Sequence, residues 1–130
     1  KNTVNMSQDI IADTLNQMMN AKRANKNSVT VKRQSRFLLS VLAIGKLHGY
    51  IQETSSHDKS LTVVLTNRLN ACQAVKPRFM ARADEIMKYV RRYLPSRKMG
   101  VVIVSTSKGL MTHQTAIEKN IGGSIIAYFY

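Results

Sequence analysis

One cysteine, three histidines and seven acidic residues are all that this 130-residue chain offers to disulfide, metal or acid–base chemistry. A lone Cys72 excludes a disulfide scaffold and points to a reducing compartment. His48, His57 and His113 are scattered without ligand spacing, which excludes a Cys-rich zinc site and gives no reason to expect a cofactor. No apolar run approaches the ~18 residues that a membrane helix needs, so a bilayer-spanning chain is excluded. The sequence shows no arginine-rich leader, signal peptide, low-complexity tract or internal repeat. It opens on Lys1 rather than Met, which implies that residues precede it.

Against that scarcity of acid stand 20 lysines and arginines, a formal net charge of +13. With 44% apolar residues the chain buries a real core, as one ordinary domain or two small lobes. The charge is concentrated. Residues 22–36 hold six bases (Lys22, Arg23, Lys26, Lys32, Arg33, Arg36) and no acid, and residues 76–98 hold eight bases against Asp84 and Glu85. Both segments are interleaved with apolar and aromatic residues, so neither is a solvated tail. An excess of this size repels itself unless a polyanion neutralises it, and the candidates are nucleic acid, an anionic membrane surface or an acidic protein. Basic patches on folded elements favour phosphates.

Periodicity organises the chain into two lobes with an α+β fold, residues 1–68 and 69–130. Ser7 is placed to cap a helix over about 7–22, with Asp9 in its first turn and Ile10, Ile11, Leu15, Met18 and Met19 on one face. Val29-Thr30-Val31-Lys32 alternates as a half-buried strand. Ser35 caps a second helix from Arg36 to His48 that ends at Gly49 and buries Phe37, Leu38, Val41, Leu42 and Leu47. Tyr50–Thr54 and Leu61–Thr66 read as strands joined by the polar stretch 55–59, which completes a helix-strand-helix-strand-strand lobe. Asn67–Pro77 reads as a polar connector. The second lobe is β-rich with short helices: a short strand over Arg78–Arg82, a helix capped by Asp84 and stopped by Pro95, a buried strand Val101–Val104, a short helix capped by Thr112, and a paired strand Ile125–Tyr130.

Catalysis finds little support. Ser105, Ser107 and His113 have no acid nearby in sequence to orient the histidine, and there is no Gly-x-Ser-x-Gly elbow. Asp9 and Asp13 share a helix face where a carboxylate favours the dipole, and Gly122-Gly123 signals a tight turn. The segment Ser105-Thr106-Ser107-Lys108-Gly109 is more informative. It follows a buried strand and is expected to lead into a helix, so hydroxyls and amides are presented on a rigid loop. Its hydroxyls suit base edges and ribose 2′-OH groups, Lys108 suits a phosphate, and Gly109 permits close approach. Alone such a loop is usually a turn; beside two cationic segments it points to RNA.

Val104-Ser105-Thr106-Ser107-Lys108-Gly109-Leu110-Met111-Thr112, followed by Ala116 and Ile121-Gly122-Gly123, closely resembles the C-terminal signature of the small-subunit ribosomal protein eight family. Matches run through nearly the whole chain: Asp9-x-Ile11-Ala12-Asp13-x-Leu15, Asn20-Ala21, Lys26-x-x-Val29, Ser35-Arg36 and Gly49-Tyr50-Ile51. Lys76-Pro77-Arg78-Phe79, Leu94-Pro95-Ser96-Arg97 and Ile126-Ala127-Tyr128-Phe129-Tyr130 are similar to the archaeal and eukaryotic branch.

The resemblance implies a two-lobed, non-catalytic protein that binds the central domain of small-subunit rRNA and supports its folding and subunit assembly. Its implied partners are that rRNA and neighbouring small-subunit ribosomal proteins, with no membrane and no small-molecule substrate. Its implied location is the cytoplasmic ribosome, an organellar ribosome staying open. It assigns RNA contact to Ser105, Thr106, Ser107, Lys108, Gly109 and Thr112, with Gly122 and Gly123 nearby, and to Lys32, Ser35 and Arg36 at a strand-to-helix turn. Arg33 stands where the family usually has proline, Arg36 where it has lysine, and Gln52–Ser60 lacks the acidic, glycine-bearing loop of this branch. The alternative is a free-standing RNA chaperone or translational regulator on the same scaffold.

Overall fold

A computed structural model describes residues 2–32, 34–96 and 98–130, the side chains of residues 2–9 excepted. The chain divides into two compact units between Gln73 and Ala74, and the fold is α+β, as the periodicity predicts.

The N-terminal unit runs α1 (Asn2–Arg23), β1 (Ser28–Val31), α2 (Arg36–Leu47), β2 (Ile51–His57) and β3 (Ser60–Leu65). Its antiparallel sheet has the order β1-β3-β2, and α1 and α2 pack against it. Strict alternation explains why one face is covered: Leu61, Val63 and Leu65 are buried, whereas Ser60, Thr62 and Val64 between them are half-buried. Ile11, Leu15 and Met18 of α1 and Leu38, Val41 and Leu42 of α2 are buried too, each such side chain contributing about 1.5–3 kcal/mol.

Several expectations are corrected here. Helix α1 begins at Asn2, ahead of Ser7; the side chains of Ser7 and Asp9, and all of Arg33 and Arg97, lie outside the described residues. Leu47 is 82% exposed rather than core. The reason is angular: at about 100° per residue it sits some 200° round the helix from buried Gly45, opposite the Leu38–Val41–Leu42 stripe. The polar stretch 55–59 is mostly strand, because ladder hydrogen bonds do not require apolar side chains. Asp58, at φ 54°, closes a two-residue turn with Lys59 between His57 and Ser60.

The C-terminal unit takes in most of β4 (Cys72–Ala81), followed by α3 (Ile86–Tyr93), β5 (Val101–Thr106), β6 (Gly109–Thr112), α4 (His113–Glu118) and β7 (Gly123–Phe129). The sheet order is β4-β7-β5-β6. Strand β5 is buried on both faces, since consecutive residues Val101, Val102, Ile103 and Val104 are each 4% exposed or less. The supposed connector over Asn67–Pro77 holds the start of β4, and its apolar minority decides: Leu69, Cys72 and Val75 are buried. Asp84 does not cap α3. Glu85 occupies that position, and its carboxylate accepts the Arg82 N–H at 2.9 Å instead of a helix amide. Thr112 does cap α4, its Oγ1 accepting from the Thr115 N–H at 3.4 Å.

Candidate nucleic-acid interface

The segment Ser105–Gly109 leads into a strand, not a helix: it is the tip of the β5–β6 hairpin, where Ser105 pairs with Leu110 and Thr106 with Gly109. The turn makes its own bonds. Thr106 Oγ1 donates to the Gly109 carbonyl at 2.8 Å and accepts from the Lys108 N–H at 3.1 Å, so this hydroxyl shapes the tip. Gly109 has φ 110° and open space around the position of a Cβ, so its backbone conformation, rather than crowding, calls for glycine. Ser107 and Lys108 are exposed at the apex, with Ser105 half-buried at the base.

Two further residues of the expected set act from behind. A Cβ on Gly122 would come within 2.6 Å of the Ala81 carbonyl oxygen. One on Gly123 would collide with the Ser105 carbonyl oxygen. Glycine at both positions therefore lets β7 enter between β4 and β5 and brace the hairpin base. Thr112 pairs with Ile103 at the far end of β6, is 7% exposed, and serves α4. His113 is 2% exposed and its Nδ1 accepts from the Val102 N–H at 3.1 Å, which occupies it structurally.

In the N-terminal unit, Lys32 and Arg36 are exposed on either side of Ser35. Ser35 Oγ accepts the Leu38 N–H at 3.1 Å, so α2 starts at a fixed place and carries Arg36 in its first turn. Lys22 and Arg23 close α1, where the dipole favours cations; Lys22 Nζ donates to the Thr66 carbonyl at 3.4 Å.

In the other basic segment, Arg82 lies 3.6 Å from Asp84 and 3.7 Å from Glu85 and so takes both acids. Among the described residues Lys88, Arg91 and Arg92 are left without an acidic partner. Sequence reasoning missed their setting. The Tyr89 ring packs 4.6 Å from Phe79, with Lys88 Nζ at 5.6 Å and Arg92 Cζ at 5.3 Å from its centroid. Tyr93, Tyr128 and Tyr130 stack in a row at 5.2 and 6.1 Å. The i, i+4 spacing of Tyr89 and Tyr93 and the i, i+2 spacing of Tyr128 and Tyr130 were the available signals.

Cys72 is buried, its Sγ 3.7 Å from the Leu15 carbonyl oxygen, and desolvation pushes its thiol up to about 12. Among the described residues no cluster of His, Cys, Asp and Glu can hold a metal, and no helix is long and apolar enough to cross a membrane.

Residues 9–130 match the family model described as Ribosomal protein S8. Small ribosomal subunit protein uS8A of Schizosaccharomyces pombe is 35% identical over 127 residues, covering 95% of this chain and 98% of that protein. Small ribosomal subunit protein uS8 of Nanoarchaeum equitans is 38% identical over 129 residues, covering 96% and 100%. Small ribosomal subunit protein uS8my of Arabidopsis thaliana is 39% identical over 129 residues, with the same coverage.

Proposed function

Because the chain belongs to the ribosomal protein S8 family, we propose that it is a structural constituent of the small ribosomal subunit. In this reading it binds the central domain of small-subunit rRNA and supports its folding and assembly. Its partners are that RNA and adjacent subunit proteins, its place is the cytoplasmic ribosome, and its work is recognition rather than turnover. The observation that carries the reading is the β5–β6 hairpin, which presents Ser107 and Lys108 outward from the end of a strand buried in the core.

Affinity then comes from cations that displace counterions: Lys32 and Arg36 in one unit, Lys88, Arg91 and Arg92 in the other. Neutralising about six phosphates gives a log–log salt slope near −4 to −5, at roughly 0.7–0.9 per contact. Discrimination comes from the hairpin apex, where a small hydroxyl meets a shaped RNA surface that a regular duplex does not offer.

Sedimentation with RNA crosslinking tests this. The chain should co-migrate with small subunits and crosslink to central-domain rRNA through the hairpin apex. A chain found mostly free of subunits would indicate a chaperone or regulator instead, and organellar fractions run beside cytosolic ones locate the ribosome.

A further inference from the structure

The stretch Gln52–Ser60, where the acidic loop of this branch is missing, forms the β2–β3 hairpin, and its tip is tied down. Gln34 lies between β1 and α2. Its Nε2 donates to the Asp58 carbonyl at 2.8 Å and to the Ser60 carbonyl at 3.4 Å. Its Oε1 accepts from Ser56 Oγ at 2.9 Å. One amide thus engages β2, the turn and β3 together, using both its donor and its acceptor. Ser60 Oγ, donating to the His57 carbonyl at 2.9 Å, fastens the turn on itself.

What Gln34 fastens the tip to is the cationic turn. It sits two residues after Lys32, directly before Ser35 and two before Arg36. Strand register agrees: Val31, at the end of β1, pairs with Leu61, and Ser60, next in β3, pairs with His57. The chain therefore leaves β1 alongside the tip, and exposed Lys59 joins Lys32 and Arg36 at one end of the sheet.

We propose that the β2–β3 tip is a further part of the RNA-binding surface, with Lys59 a phosphate contact held in position by Gln34. This rests on the reading in which the Lys32–Arg36 turn faces RNA. A lysine on an untethered hairpin loses backbone and rotamer freedom when it meets a phosphate, whereas the latch removes most of that loss beforehand. Asp58 beside it carries the opposite sign, so the surface can be probed in both directions.

The test is titration of the full chain with a central-domain rRNA fragment across a salt series. Lys59→Ala should lower the magnitude of the slope by about 0.7–0.9, which is about four- to five-fold in affinity at 0.15 M relative to 1 M salt. Asp58→Asn, which keeps a residue tolerant of positive φ in the turn, should tighten binding at low salt. Gln34→Leu removes both polar functions at similar size and should reproduce most of the Lys59→Ala loss. The double variant should then be no weaker than Lys59→Ala alone. Thermal melts establish that each variant is folded.

Lys59→Ala and Asp58→Asn both binding as wild type at every salt concentration would overturn the contact. Fully additive losses from Gln34→Leu and Lys59→Ala would overturn the latch. A wild-type chain that does not bind the fragment would overturn the ribosomal reading, and this inference with it, so the two failures are distinguishable.

Discussion

The N-terminal unit carries its proposed contact residues on a turn that enters a capped helix, whereas the C-terminal unit carries those proposed for it at the tip of a hairpin whose strands run out of the core. The first set is cationic, with Lys32 and Arg36 around a serine already committed to Leu38. The second is rich in hydroxyls, with Ser107 and Lys108 on a turn stiffened by Thr106. Their sheets differ in the same sense: β3 alternates between buried and half-buried residues, while β5 is buried at four consecutive positions. Burial is thus most complete beneath the set proposed to need fixed geometry, and the cationic turn is the set whose proposed long-range interaction tolerates a looser fit.

The largest expected effect probes that contrast in the sheets. Leu61→Ala and Ile103→Ala, both at 0% exposed positions, should each cost about 2–5 kcal/mol in urea unfolding. Moving one residue along separates the units: Thr62→Ala should stay within about 0.5 kcal/mol, whereas Val102→Ala should still be clearly destabilising. Equal tolerance at Thr62 and Val102 would erase the distinction.

Next comes Cys72, at the start of β4. Its thiol is raised in the folded state, so the stability it contributes is complete below pH 9 and is lost as pH climbs towards 12. Between pH 8 and 10 the native chain should lose about 1.4 kcal/mol more than Cys72→Ala, measured as the difference between their unfolding curves. Parallel pH profiles would show that the thiol ionises as readily folded as unfolded.

Smaller effects separate the contact sets. Ser107→Ala should weaken cognate RNA by about 0.5–1.5 kcal/mol while leaving a random duplex almost unaffected. Lys32→Ala or Arg36→Ala should weaken both RNAs alike and lower the salt slope by about 0.7–0.9 each. Equal losses from Ser107→Ala on the two RNAs would assign the hairpin to charge rather than shape. An unchanged slope for Lys32→Ala would remove the N-terminal turn from the phosphates.

Local patterns announced most of this arrangement. Ser35 and Thr112 are caps because a hydroxyl just before an apolar periodic run has one economical use, and the amides of Leu38 and Thr115 meet it. Apolar runs likewise marked β5 and β7. Polar strands were illegible: Ser55, Ser56 and His57 carry no period-two apolar signal, yet backbone pairing with β3 holds them. Leu47 misled because its hydrophobicity was counted without its angle. The residues proposed for contact could be grouped from sequence but not given roles, because only the fold shows Thr112 and Gly123 turned to internal duties, and no spacing joins Gln34 to Asp58 across 24 positions.

Strand β7 lies second in its sheet although it comes last in chain order, between β4 and β5. The β5–β6 hairpin closes over a few residues and can form early, but joining β4 to β7 must wait for segments about forty residues apart to meet, against loop-closure entropy. The β5–β6 hairpin can therefore take shape before its platform is finished, and the close approaches that Gly122 and Gly123 permit are made only once β7 has docked.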